Sequence, residues 1–96
     1  KKQMNELFAL FASVKDVGQA ELLLRDMLTP QELNSLAERW QLLQLLDAGV
    51  PQREIAERLG ISISKVTRGS RVMQLGKAGG VKDFLKALHA TYSARS

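Results

Sequence analysis

Ser62, Ile63, Ser64, Lys65, Thr67, Arg68 and Arg71 are crowded into one short stretch of the chain. At helical spacing they gather hydroxyls, cations and one branched alkyl group on one side, while Val66 and Met73 fall on the other. Hydroxyls and cations in that arrangement bond to phosphates and base edges, and an exposed isoleucine suits a thymine methyl. The stretch 62–74 therefore reads as a helix with one buried face and one face able to lie in the major groove of double-stranded DNA. Gln52 and Arg53, which open the preceding helix, complete the candidate DNA-binding set. A hairpin of this kind can also be purely structural, but the face expected to meet solvent is basic, which favours DNA.

Such a helix needs a partner that fixes its angle. The segment QREIAERLGISISKVTRGSR, residues 52–71, supplies one. Ile55, Leu59, Ile61 and Val66 are spaced to be the buried contacts of two short helices crossing at a tight turn, and Ala56 suits their close approach. Gly60 follows Leu59, where a positive φ must end the first helix. This is the pattern of a helix-turn-helix over residues 51–75.

Charge is unevenly divided. Before Pro51 there are five Lys and Arg against seven acids, a balance of −2; from Pro51 onward there are nine against three, a balance of +6, which together make the net +4. A basic half centred on the hairpin would attract a phosphate backbone and bind it salt-dependently. No segment has the broad apolar face with aromatic anchors that membrane-surface helices use, and no run approaches the ~20 apolar residues of a membrane span. With 96 residues the chain has room for one domain. It contains no cysteine, which excludes disulfides and thiolate metal sites and fits a reducing cytoplasm. It starts at Lys1 rather than Met, as expected of a chain lacking a few native residues.

The remaining segments also read as helices. Residues 3–14 place Met4, Leu7, Phe8, Phe11 and Val14 on one stripe. Residues 17–27 contain Leu22, Leu23 and Leu24 in succession, which cover most of a helix circumference and exceed what a small isolated domain can bury, pointing to a partner chain. Thr29, Pro30 and Glu32 form a helix start with a capping box. The helix that follows, 30–48, carries Leu33, Leu36, Trp40, Leu43 and Leu46 and ends at Gly49. Residues 76–80 read as a flexible linker, and a last helix, 81–92, turns Phe84, Leu85 and Leu88 inward before residues 93–96 fray.

Catalysis has no foothold. The one histidine, His89, has no nucleophile or ligand pair nearby, and Ser62, Ser64 and Ser70 read as capping or DNA-contacting hydroxyls. A helical protein-interaction module is the remaining alternative; it would bind DNA weakly and be insensitive to Arg71→Ala.

The stretch MLTPQEL at 27–33, the Glu38 and Arg39 pair, QREIAERLG from Gln52 and above all VTRGS at 66–70 resemble the bacterial tryptophan repressor family. The resemblance covers roughly residues 21–74. It implies an all-α, six-helix, intertwined homodimer in which residues 1–96 form a single helical domain: 1–50 the dimerisation core, 51–75 the helix-turn-helix, 81–92 a helix completing the core. It implies a transcriptional repressor whose two recognition helices enter successive major grooves about 34 Å apart. It also implies an amino-acid corepressor such as L-tryptophan. Arg39 and Arg68 match the arginines that flank the ligand ring, Arg68 also reaching its carboxylate. Thr29 matches a threonine that assists that carboxylate, and Gly69 a glycine that leaves room for the ring; backbone carbonyls near Asp26 and Leu28 match those that hold the ammonium group. Val72 stands where tryptophan-binding members carry a serine, and Asp26 where they carry leucine; an acid there could attract the ammonium group or indicate a different ligand. A repressor-like regulator with another effector, or none, shares most of these features. Ordinary ion pairs of Arg39 and Arg68 with Glu38 or Glu32, or a phosphate contact of Arg68, are the competing uses of those arginines.

Overall fold

Short-range side-chain bonds set the helix boundaries. The computed structural model describes residues 1–74 and 79–95. Its helices are α1 (Lys2–Ala12), α2 (Val17–Met27), α3 (Pro30–Asp47), α4 (Gln52–Leu59), α5 (Ile63–Gln74) and α6 (Gly79–Arg95), with no strand among the described residues. The all-helical reading holds. Contacts divide the chain into two compact units, Lys1–Ser35 and Leu36–Ser96, so the boundary falls inside α3.

In the first unit, Asp16 caps α2 by accepting the Gln19 N–H at 2.8 Å, and Gln19 Oε1 accepts the Lys15 N–H at 3.0 Å. The Asp16 and Gln19 spacing is legible in the sequence as a helix start. The expected box at α3 forms in full: Thr29 Oγ1 accepts the Glu32 N–H at 3.1 Å, and Glu32 Oε1 accepts the Thr29 N–H at 2.9 Å. The Thr29 N–H first, and the Thr29 side chain second, hold the Glu32 carboxyl below its ordinary value of 4.5 by hydrogen bonding to its charged form. The helix expected over 3–14 stops earlier, at Ala12, where the Ser13 hydroxyl donates to the Leu10 carbonyl at 2.6 Å and ends the ladder. Neither α1 nor α2 contains a buried residue. Met4, Phe8 and Phe11 are exposed, and Leu22 is 69% exposed.

The second unit contains the core. Leu42 of α3, Ile55 of α4 and Val66 of α5 meet, with Leu45, Leu46, Val50, Ala56, Leu59 and Ile61 packed around them; Ile55 and Val66 are fully buried. The expected hairpin contacts are all present. Gly60 adopts φ 64°, ψ 37°, and the Ile61 N–H reaches back to the Ala56 carbonyl at 3.1 Å while the Gly60 N–H reaches Glu57 at 3.3 Å. That is a Schellman turn, which needs a left-handed residue at its centre. Gly49, at φ 80°, ends α3 in the same way through Val50 to Leu45 and Gly49 to Leu46, each at 3.1 Å. In both turns the residue after the glycine packs on the core.

The C-terminal expectations need correction. Gly79 and Gly80 already belong to α6, which runs to Arg95, longer than the expected 81–92. Residues 76–78 of the expected linker, residue 96 and the His89 side chain lie outside what is described. Leu85 is buried and Leu88 and Val81 are half-buried, but Phe84 is 67% exposed. The inward stripe is 81, 85, 88, at spacings of four and three, which leaves residue 84 on its flank.

A Cβ at Gly69 of α5 would sit 2.9 Å from Leu42 Cδ2, and 3.2 Å from both Leu42 Cγ and Leu46 Cδ1. Gly69→Ala is therefore expected to destabilise by about 1 kcal/mol, an overpacking cost of ~1–3 exceeding the ~1 gained by replacing glycine in a helix. Urea unfolding checks this, and an unchanged or raised midpoint would mean that the two leucines yield freely.

A carboxyl held below its unfolded value stabilises the fold fully above that value and loses the contribution as pH falls through the lower, folded value. Glu32 should thus titrate below 4.5 in an NMR pH series, and Thr29→Ala should move it part of the way back. Identical titration curves would show that the box does not hold the carboxylate.

Candidate nucleic-acid interface

The α4–α5 hairpin decides which side chains of α5 reach solvent. Successive helical residues are about 100° apart. Val66 and Ser70 are buried, Met73 is half-buried and Gly69 lies on α3, which marks one side of α5 as inward. Ser64, Thr67, Arg68 and Arg71 are exposed on the opposite side, and Ile63, in the first turn, is 50% exposed. Ser70 is thereby removed from the candidate DNA-contacting hydroxyls. It lies one turn after Val66, on the same inward stripe.

Ser62 caps the helix, its Oγ accepting the Lys65 N–H at 3.3 Å. It lies just outside α5, which begins one residue later than the expected 62–74. The Thr67 hydroxyl donates to the Ile63 carbonyl at 3.0 Å, and the same oxygen lies 3.3 Å from Gln52 Oε1. Gln52 and Thr67, both read as DNA-contacting, therefore meet each other across the turn, with the one Thr67 proton shared between the Ile63 carbonyl and Gln52 Oε1. Arg53 is exposed beside them.

Lys65 behaves differently from its neighbours. It sits about a quarter turn from the centre of the exposed face, on the flank beside α3, where its Nζ lies 3.5 Å from Glu38 Oε1. Among the described residues Arg39, Arg53, Arg68 and Arg71 take part in no ion pair. The acids that could have neutralised Arg39 and Arg68 are engaged elsewhere, Glu38 with Lys65 and Glu32 with Thr29.

The remaining pocket candidates in this unit are Arg39, Arg68, Gly69 and Val72, of which Gly69 lies against α3. Glu38 faces Lys65, and one turn later Leu42 and Leu46 face Gly69, so α3 and α5 advance in the same direction along the seam between them. Arg39 and Arg68 are exposed, and Val72 is 45% exposed. Thr29 belongs to the other unit. Its hydroxyl accepts the capping bond and its side chain also helps hold the Glu32 carboxylate. Glu38, Leu42 and Leu46 are the participants that sequence reasoning missed. Only the Glu38 and Lys65 charges hinted at one of these contacts, and nothing in their separation along the chain announces it.

No group of His, Cys, Asp or Glu suited to a metal occurs among the described residues, and none of their helices is long and apolar enough to cross a membrane.

Comparison with known proteins agrees with this geometry. The family described as Trp repressor protein matches residues 2–89. A Trp operon repressor homolog of Vibrio campbellii is 38% identical over 88 residues, covering 91% of this chain and 87% of that protein. One from Xylella fastidiosa is 33% identical over 81 residues, covering 83% of this chain and 85% of its own. One from Pasteurella multocida is 43% identical over 58 residues, 59% of this chain and 57% of its own. No solved structure matches. With its family matched over nearly the whole length and its second unit built as a helix-turn-helix, the chain belongs to the Trp repressor family, whose members are DNA-binding transcription regulators and not enzymes.

Proposed function

We propose that this protein is a cytoplasmic, homodimeric repressor that binds double-stranded operator DNA and is controlled by a small amino-acid corepressor such as L-tryptophan. The observation that carries the DNA-binding half is the face of α5 where Ser64, Thr67, Arg68 and Arg71 are exposed while Val66 and Ser70 fix the opposite face in the core. Guanidinium groups there can bond bidentately to guanine or to phosphate, the hydroxyls and Ile63 supply adaptable polar and methyl contacts, and Arg53 adds a backbone contact. Ser62 and Gln52 act mainly on geometry, one as the cap and one as the tie to Thr67, with their remaining hydrogen-bonding capacity turned to the backbone. Homodimerisation is supported by a first unit in which α1 and α2 contain no fully buried residue and leave Phe8, Phe11 and Leu22 exposed.

The corepressor half rests on Arg39 and Arg68. A planar aromatic amino acid between them would stack on guanidinium faces and give its carboxylate to Arg68. Gly69 keeps the seam close, and a ligand wedged beside it would hold α5 at one angle to α3. Val72 offers this ligand apolar contact only. That favours, as the second reading, an effector whose polar end needs fewer bonds than the amino group of tryptophan makes.

Titration calorimetry with L-tryptophan is expected to give saturable heat that Arg68→Ala abolishes. On a duplex enriched by in vitro selection, corepressor should raise affinity by about 5–150-fold at fixed salt, the usual range of such coupling. Arg71→Ala should cost about 1–3 kcal/mol of binding to that duplex. Intact DNA binding with no tryptophan heat at millimolar ligand would support the second reading, and equal affinity with and without every tested amino acid would remove ligand control altogether. Insensitivity to Arg71→Ala would return the hairpin to a protein-interaction role.

A further inference from the structure

We infer that Glu38 is a specificity-determining residue for DNA binding, acting by holding Lys65 out of the set of cations that bind phosphate. The inference rests on the DNA-binding reading above and adds to it a residue on α3, outside the reading hairpin. Lys65 is on the reading helix but on its α3 flank, with its Nζ 3.5 Å from Glu38 Oε1. Among the described residues this is the one ion pair that joins two different helices, the others linking positions four apart within α2 or α4. One turn further on, Gly69 lies against Leu42 and Leu46, so the two helix backbones are held together beside the pair and Glu38 stays within reach of Lys65. The pair is too exposed, at 60% and 37%, to be explained as a contribution to folding.

Its effect falls on binding instead. Attraction to arbitrary DNA comes almost wholly from cations replacing condensed counterions, whereas operator binding adds base contacts. Neutralising one cation on the flank of the reading face weakens both modes, but it removes a larger share of the non-specific one. Ser64, Thr67, Arg68 and Arg71, on the exposed face, are left to discriminate between sequences.

The test is fluorescence anisotropy on two duplexes of equal length, one of random sequence and one enriched by in vitro selection with the wild-type protein, over a salt series. Wild type, E38Q, K65Q and the double variant are compared, with circular dichroism melts to verify equal folding. On the random duplex E38Q is expected to steepen the slope of log K against log salt by about one unit, as for one added phosphate contact, and to bind several-fold more tightly at low salt. The ratio of selected to random affinity should narrow, and E38Q should have no effect in the K65Q background. An E38Q slope equal to wild type overturns the inference. So does an E38Q effect of the same size with Lys65 removed, which would mean simple repulsion of DNA by the carboxylate. A wild-type protein that binds neither duplex overturns the DNA-binding reading itself, a result distinct from both.

Discussion

The missing side chain at Gly69 is the constraint on which the reading helix depends. Without a Cβ there, α5 can lie directly on Leu42 and Leu46 of α3, closer than any other residue would allow. That contact and the burial of Ile55 and Val66 fix both the position of α5 and its rotation about its own axis. Rotation decides which groups are presented: Ser70 is lost to the core, and Arg68 and Arg71 are delivered to the surface. A one-residue change of helix phase would turn every one of these groups by about 100°. The same contact sets Gly69, and with it the phase of α5, directly against α3.

The first unit has the opposite character. Its helices are well begun, α2 by Asp16 and α3 by the reciprocal Thr29 and Glu32 bonds, yet α1 and α2 are each 11 residues long and contain no buried side chain. Isolated helices shorter than about 12–15 residues are marginal in water, and most helical stability in proteins comes from packing an apolar face. Phe8, Phe11 and Leu22 are such faces left uncovered. Caps define where these helices begin; they do not supply what keeps them formed. This is the physical reason the proposed dimer is assigned to this half of the protein.

Features governed by near neighbours were legible in the sequence. The Thr29 and Glu32 box, the turns at Gly49 and Gly60 and the limits of α2 depend on residues a few positions apart, and the hairpin contacts Ile55, Leu59, Ile61 and Val66 fall within one stretch of twelve residues. Features governed by distant contacts were not. Ser70 looks like its exposed neighbours in composition, and only its position one turn after Val66, against the core, removes it from the surface. Phe84 is the largest apolar residue of its turn but lies beside the buried stripe, because the spacing of 81, 85 and 88 sets the stripe's direction. The role of Gly69 against Leu42 could not be read either, since it requires knowing which face of α3 receives α5.

The charge on the reading helix illustrates the same division between composition and placement. From Pro51 onward the chain carries a balance of +6, and α5 alone contributes Lys65, Arg68 and Arg71 with no acid among its residues. Counted along the sequence these three cations are equivalent. In the folded unit Lys65 faces a carboxylate supplied by α3, a helix from the acidic half of the chain, while Arg68 and Arg71 face solvent without an ion-pair partner among the described residues. A regulator that must find its site among a vast excess of other DNA gains nothing from maximal positive charge, because non-specific affinity rises with every free cation. Placing one acid of the N-terminal half beside the reading helix lowers that background while leaving the two arginines on the exposed face, where base edges and phosphates can be reached.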